Sequence, residues 1–110
     1  MNEQEMQDRA RGLIHALEPV REMPTNKLMT LLTVALKEGL TVDEYAKRAG
    51  ISATTMSRHL LDLGESDRTK QPGLGLVEGR TNVTNQREKI YGLTPKGRAL
   101  VTTIVERAKP

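Results

Sequence analysis

The run Ser52 to Arg58, SATTMSR, carries the side chains best suited to recognising a partner. Ser52, Thr54, Thr55 and Ser57 offer hydroxyls that donate and accept hydrogen bonds, and Arg58 offers a planar fork of donors. Ala53, Thr54, Ser57, Arg58 and Leu61 fall on one side of a helix, small, hydroxylic and free of acid. Such a face can approach a phosphate-lined groove. Bond-making chemistry has no comparable signal. Cysteine is absent, the two histidines lack a carboxylate-bearing motif around them, and there is no P-loop or dinucleotide fingerprint. No enzyme activity, cofactor or metal site is expected.

The stretch that must position this run is Thr41 to Leu63, TVDEYAKRAGISATTMSRHLLDL. Thr41 and Glu44 have the spacing of a capping box, and Val42, Tyr45, Ala46 and Ala49 give the first helix an apolar side. Gly50 supplies the left-handed turn, Ile51 fills the gap, and Ser52 caps a second helix. Met56, Leu60 and Leu63 stand at i, i+4 and i+7, a buried stripe opposite the hydroxylic face. Two short helices joined this way predict a helix-turn-helix whose second helix is the reader.

Charge is distributed to match. Residues 1–46 hold five Lys/Arg against eight Asp/Glu, whereas residues 47–98 hold ten against five, so the basic half contains the reader helix. With 110 residues, one modest core is expected, and with no Phe or Trp it must be aliphatic. The polar N-terminus is no signal peptide and no apolar run could span a bilayer, so a cytoplasmic protein without membrane contact is expected.

In chain order, residues 4–17 carry the helical stripe Met6, Ala10, Leu13, Ile14 and Leu17, closed by Pro19. Residues 25–38, TNKLMTLLTVALKE, are apolar on most sides and predict a central helix contacted from several directions. After the helix-turn-helix, residues 64–73 read as a loop, 74–79 as a strand and 80–86 as a turn. Residues 87–93 read as a second strand with Ile90 and Leu93 inward, or Tyr91 inward in the other register. Thr94 caps a last helix with Pro95 at its first position and Leu100, Val101, Ile104, Val105 and Ala108 as its stripe. The order is α-α-α-α-β-β-α: a mainly α chain with a small β-hairpin, a winged helix-turn-helix.

The residues themselves resemble the MarR-type winged-helix regulators. The runs are YAKRAGISATTMSRHLLDL, then GLV at 75–77, then NQREKIYGLTPKG at 85–97, and the likeness covers roughly residues 28–101. It implies one domain over 1–110, with the helix-turn-helix at 41–63, a loop insertion at 64–73, the wing at 74–93 and a C-terminal helix at 95–108. It also implies that Ser52, Thr54, Thr55, Ser57 and Arg58 meet bases and phosphates of double-stranded DNA in the major groove. Arg87 matches the wing arginine that reaches a flanking minor groove, while Arg80, Lys89, Arg68 and Lys70 would draw in phosphates.

The chain also departs from the pattern. The connection between reader helix and GLV is longer than the family's, Asn85 replaces the wing aspartate, and Gly79 displaces the following arginine to Arg80. Family members dimerise through their first helix and two long C-terminal ones. Here only residues 4–17 and 95–108 are left for that task, which predicts a homodimer built on them without a small-molecule effector pocket. Plainer readings stand beside these. Ser52 is a cap in any case, Thr54 and Ser57 suit a solvated surface, Arg58 can pair with Asp62, and Arg87 with a carboxylate. His59 suits a partly buried, hydrogen-bonded role and His15 a surface one. A winged helix used purely for protein–protein assembly is the alternative to a DNA-binding regulator.

Overall fold

The computed structural model describes residues 1–65, 71–85 and 87–109. Helix α1 spans Glu3–Leu17, capped by Asn2, whose side chain accepts the Glu5 N–H at 2.8 Å. A 3-10 turn over Glu18–Val20 leads to α2, Thr25–Leu36. A two-residue strand β1, Leu40–Thr41, runs directly into α3, Val42–Ala49, and then α4, Ala53–Leu63. The hairpin is β2, Val77–Thr81, with β3, Lys89–Leu93, followed by α5, Pro95–Arg107.

The predicted order of helices and hairpin is present, with one addition. β1 pairs antiparallel with β3, so the sheet has three strands in the order β1-β3-β2. Two residues ahead of a helix cap give no periodicity to read, which is why this strand has no sequence signal. The hairpin starts later than expected: residues 74–76 are not strand, and β2 begins at Val77, opposite Leu93. Leu93 is buried and Tyr91 packs on the core, whereas Ile90 points the other way, as a two-residue alternation demands. Tyr91 and Leu93 are thus the inward pair.

The main core gathers Leu31 and Val34 of α2, Tyr45 and Ala46 of α3, and Met56, Leu60 and Leu63 of α4 against Leu76, Val77 and Leu93. α2 is central, but only on one side: Met29 and Leu36 are exposed despite the apolar run around them. A second, smaller cluster joins Ala16, Val20 and Ile104, where α1 meets α5. α1 contributes almost nothing else, for Ala16 is its one buried residue and Met6, Leu13, Ile14 and Leu17 all face outward.

Candidate nucleic-acid interface

The helix-turn-helix is fixed at three points that leave the outer side of α4 free. Thr41 accepts the Glu44 N–H at 3.3 Å while the Glu44 carboxylate accepts the Thr41 N–H at 3.1 Å, a complete capping box. These bonds hold the Glu44 carboxyl below its ordinary value. Gly50 ends α3 at φ 69°, a conformation that a Cβ would strain, and turns the chain into α4. Ser52 Oγ then accepts the Thr55 N–H at 3.1 Å and donates to Thr55 Oγ1 at 2.9 Å.

Burial divides α4 cleanly. Met56, His59, Leu60 and Leu63 are buried, and Thr54, Arg58 and Leu61 are exposed on the opposite side, with Ser57 half-buried beside them. Ser52 and Thr55 spend part of their hydrogen-bonding capacity on the cap, so Thr54, Ser57 and Arg58 are the freer groups. Arg58 does not take Asp62: that carboxylate pairs with Lys27 of α2 at 3.2 Å, both side chains mostly buried. Among the described residues Arg58 has no ion-pair partner. His59 is 9% exposed, its Nδ1 3.1 Å from Thr30 Oγ1. Thr30 Oγ1 also lies 3.0 Å from the Asn26 carbonyl, and the His59 ring is a buried polar strut between α2 and α4.

The connection from α4 to the wing is closed at its root. Leu74 N–H donates to Asp62 O at 3.2 Å, Gly73 to Glu65 O at 2.9 Å, Gly75 to Gly64 O at 2.8 Å and Leu76 to Leu63 O at 2.7 Å. Residues 66–70, with Arg68 and Lys70 among them, lie outside the described residues. Beyond the stem, Leu61 of α4 and Lys89 of β3 line a shared open concavity of about 650 Å³, together with Lys96 and the acids Glu65 and Glu78. The exposed side of α4 and the wing therefore flank one hollow.

At the wing tip, Asn82 Oδ1 accepts the Thr84 N–H at 3.0 Å and Asn85 Oδ1 accepts the Arg87 N–H at 3.1 Å. Asn85 thus shapes the turn that presents Arg87 instead of orienting its guanidinium by charge. Arg87 and Lys89 are exposed, and Arg87 has no ion-pair partner among the described residues. Arg80 is also exposed and makes one long contact, 3.4 Å, with Glu78. Gln86 of the wing motif lies outside the described residues. Two cations escaped the sequence reading. Lys47 and Arg48 are exposed in the last turn of α3, immediately before the Gly50 turn and beside the start of α4. Their signal was the basic pair adjoining the turn glycine.

No family model and no curated protein matches the chain significantly. Solved structures do. RV1404 from Mycobacterium tuberculosis superposes with a TM-score of 0.74 at 19% identity, covering 96% of this chain and 67% of its own. MarR from E. coli in its apo form gives 0.69 at 18%, over 98% and 77%. The S. aureus MepR–DNA complex gives 0.67 at 24%, over 94% and 76%. The fold is that of a MarR-like winged helix. In that fold α4 is the second helix of the helix-turn-helix, β2 and β3 are the wing, and α1 packs against α5. No helix among the described residues is long and apolar enough to cross a membrane, and no group of three or more His, Cys, Asp or Glu among them is arranged to hold a metal ion.

A further cleft of about 540 Å³ lies between the α1–α2 connection and the end of α4, lined by Pro19, Met23, Pro24, Pro72 and Leu74. Its charged groups include Lys27 and Asp62, which already satisfy each other.

Proposed function

We propose that this protein is a DNA-binding transcriptional regulator that acts in the cytoplasm as a homodimer. It reads double-stranded DNA with α4 in the major groove and reaches the flanking minor groove or backbone with its wing. The observation that carries this reading is the division of α4. One side is locked into the core, and the other presents Thr54, Ser57 and Arg58, which have no committed partner among the described residues. Ser52 and Thr55 stand at the helix start, where free N–H groups favour phosphate. Arg87, Arg80 and Lys89 on the wing, with Lys47 and Arg48, supply attraction that does not depend on sequence; Arg68 and Lys70 are assigned the same role from sequence alone. MepR, one of the proteins whose fold this chain shares, forms a DNA complex.

The homodimer is supported by α1. A helix of 15 residues with one buried side chain gains little from its own body. Leu13 is 56% and Ile14 71% exposed, and Val105 of α5 adds to the same end of the molecule. A second copy covering these stripes would place two reader helices about a two-fold axis, hence a palindromic site with half-sites about one helical turn apart.

Selection of bound duplexes from a random pool, followed by salt titration, tests the proposal. Expected are a palindrome and an affinity falling linearly in log salt. Arg58→Ala should cost roughly 1–3 kcal/mol and relax preference at one base position. A pool that yields no enriched duplex would favour the assembly-module reading, and wild-type binding by Arg58→Ala would remove α4 from the groove.

A further inference from the structure

The wing is fastened to the body at its base by a side chain where a strand has run out. β1 meets β3 only at Leu40–Tyr91 and Thr41–Ile90, with one more bond from Gly39 N–H to Tyr91 O at 2.8 Å. The next N–H on that edge, at Leu93, finds no strand. Glu38 Oε1 accepts it at 2.7 Å, and Glu38 Oε2 accepts from the Arg98 guanidinium at 2.6 Å. The carboxylate lies over Gly92, where an added Cβ would come within 3.0 Å of Oε1. Arg80 on β2 adds a favourable field and helps to hold the carboxyl ionised. One side chain thus joins the end of α2, the base of the wing strand and the first turn of α5.

We infer that Glu38 is a positioning residue for DNA binding, setting the angle of the wing relative to α4 so that Arg87 reaches the duplex while the reader helix is seated. This rests on the DNA-binding reading above. The lever is long. At about 3.4 Å per strand residue, Arg87 stands roughly 20 Å from Leu93, so a swing of roughly 10° at the base moves the tip by roughly 3.5 Å. That displacement exceeds the tolerance of a hydrogen bond or close ion pair. Glu38 is placed to resist the swing because its two oxygens hold different elements, β3 through the Leu93 N–H and α5 through Arg98. Since α2 also carries the Lys27 pair to Asp62 and the Thr30 contact to His59, the segment that fixes the wing is the one that fixes α4.

The test is a double-mutant cycle on a selected duplex, measuring affinity against salt for wild type, Glu38→Gln, Arg87→Ala and the double variant. Glu38→Gln keeps the shape and removes the charge. It should weaken binding about fivefold or more and flatten the salt slope, and Arg87→Ala should then cost much less than it does in wild type. Loss of fold alone would not couple two residues at opposite ends of the wing. Arg98→Met, which removes the ion pair and spares the Leu93 bond, should fall between wild type and Glu38→Gln, and it carries the same cycle if the glutamine variant is unfolded at assay temperature. Equal cost of Arg87→Ala in every background overturns the inference, as does wild-type affinity and slope in Glu38→Gln. A wild-type chain that binds no duplex overturns the DNA reading itself, a separate and recognisable result.

Discussion

Tyr45→Phe removes one oxygen from the joint where three parts of the molecule meet. The Tyr45 ring is fully buried, and its hydroxyl lies 2.8 Å from Lys37 O and 2.9 Å from Tyr91 O, one proton facing two carbonyls. The same oxygen accepts the Leu40 N–H at 3.4 Å. After substitution Tyr91 O keeps its bond from Gly39, so the groups that lose a partner are Lys37 O and Leu40 N–H. An orphaned buried group costs about 1–3 kcal/mol. The Leu40 contact is long and Lys37 is exposed enough to take water, which puts the expected loss at about 1–2 kcal/mol. In a domain this size that lowers the melting temperature by roughly 5–15 °C. Urea titration followed by circular dichroism measures it, with an unchanged slope of free energy against denaturant as the control. The alkaline limb gives a second reading. Burial pushes the Tyr45 hydroxyl above its ordinary value, and Tyr91 likewise. The folded chain therefore holds protons that the unfolded chain releases near pH 10, so stability is fully present below about pH 10 and falls as pH rises through the folded values. The phenylalanine variant should lose part of that slope. A loss under about 0.5 kcal/mol, within the range of an ordinary surface change, with the alkaline slope intact would refute the reasoning.

Other perturbations probe the remaining links. The Glu38 carboxyl is held below its ordinary value by the Arg98 guanidinium and the Leu93 N–H, so its contribution is present above about pH 4.3 and is lost as pH falls through the folded value; Glu38→Gln should flatten the urea midpoint between pH 6 and 3, the effect being modest because the side chain is about one third exposed. Gly97→Ala would drive a Cβ into the Leu76 carbonyl where α5 crosses the strand entry, and should destabilise by about 1–3 kcal/mol in the same urea assay. Ile14→Glu should leave the monomer's melting behaviour nearly unchanged yet shift sedimentation from dimer to monomer at tens of micromolar, since Ile14 is exposed in the isolated chain. A wild-type chain that sediments as a clean monomer would refute the dimer.

The sequence was most legible where a local rule and a tertiary need coincide. Thr41 with Glu44, Gly50, Ser52 and Thr94 each satisfy a backbone group within a few residues, so their roles can be read from spacing, and all four appear as expected. The stripe Met56, Leu60, Leu63 is buried for the same reason. Legibility failed where the partner is distant in sequence. β1 exists because Leu40 and Thr41 meet Tyr91 and Ile90 some fifty residues on, and no local pattern announces that. Glu38 looks like an ordinary surface acid at a helix end, until the hairpin folds back and places the Leu93 N–H against it. Met29 and Leu36 mislead in the opposite sense, for α2 has fewer neighbours than its composition could cover. At the candidate site, the exposed face of α4 was readable from periodicity, whereas the freedom of Arg58 depended on Lys27 claiming Asp62 from another helix.

On the proposed DNA-binding function, these features together account for how a reader helix with one arginine would support a useful affinity. Each phosphate neutralised contributes through counterion release, and a single α4 offers one cation for that purpose. The wing adds Arg80, Arg87 and Lys89, and the end of α3 adds Lys47 and Arg48, but only if the wing is held at the angle that lets both surfaces touch the duplex together. Pre-setting that angle avoids an ordering cost at the moment of binding, and this is the role that the Glu38 and Tyr45 ties are placed to fill. The proposed dimerisation through α1 and α5 would make the second half-site an intramolecular event, so that two modest readers act as one strong one. The consequence is that specificity and affinity should separate by region. Changes at Ser57 or Arg58 should alter which duplex is chosen, whereas changes at the wing base or the α1 stripe should alter how tightly any duplex is held.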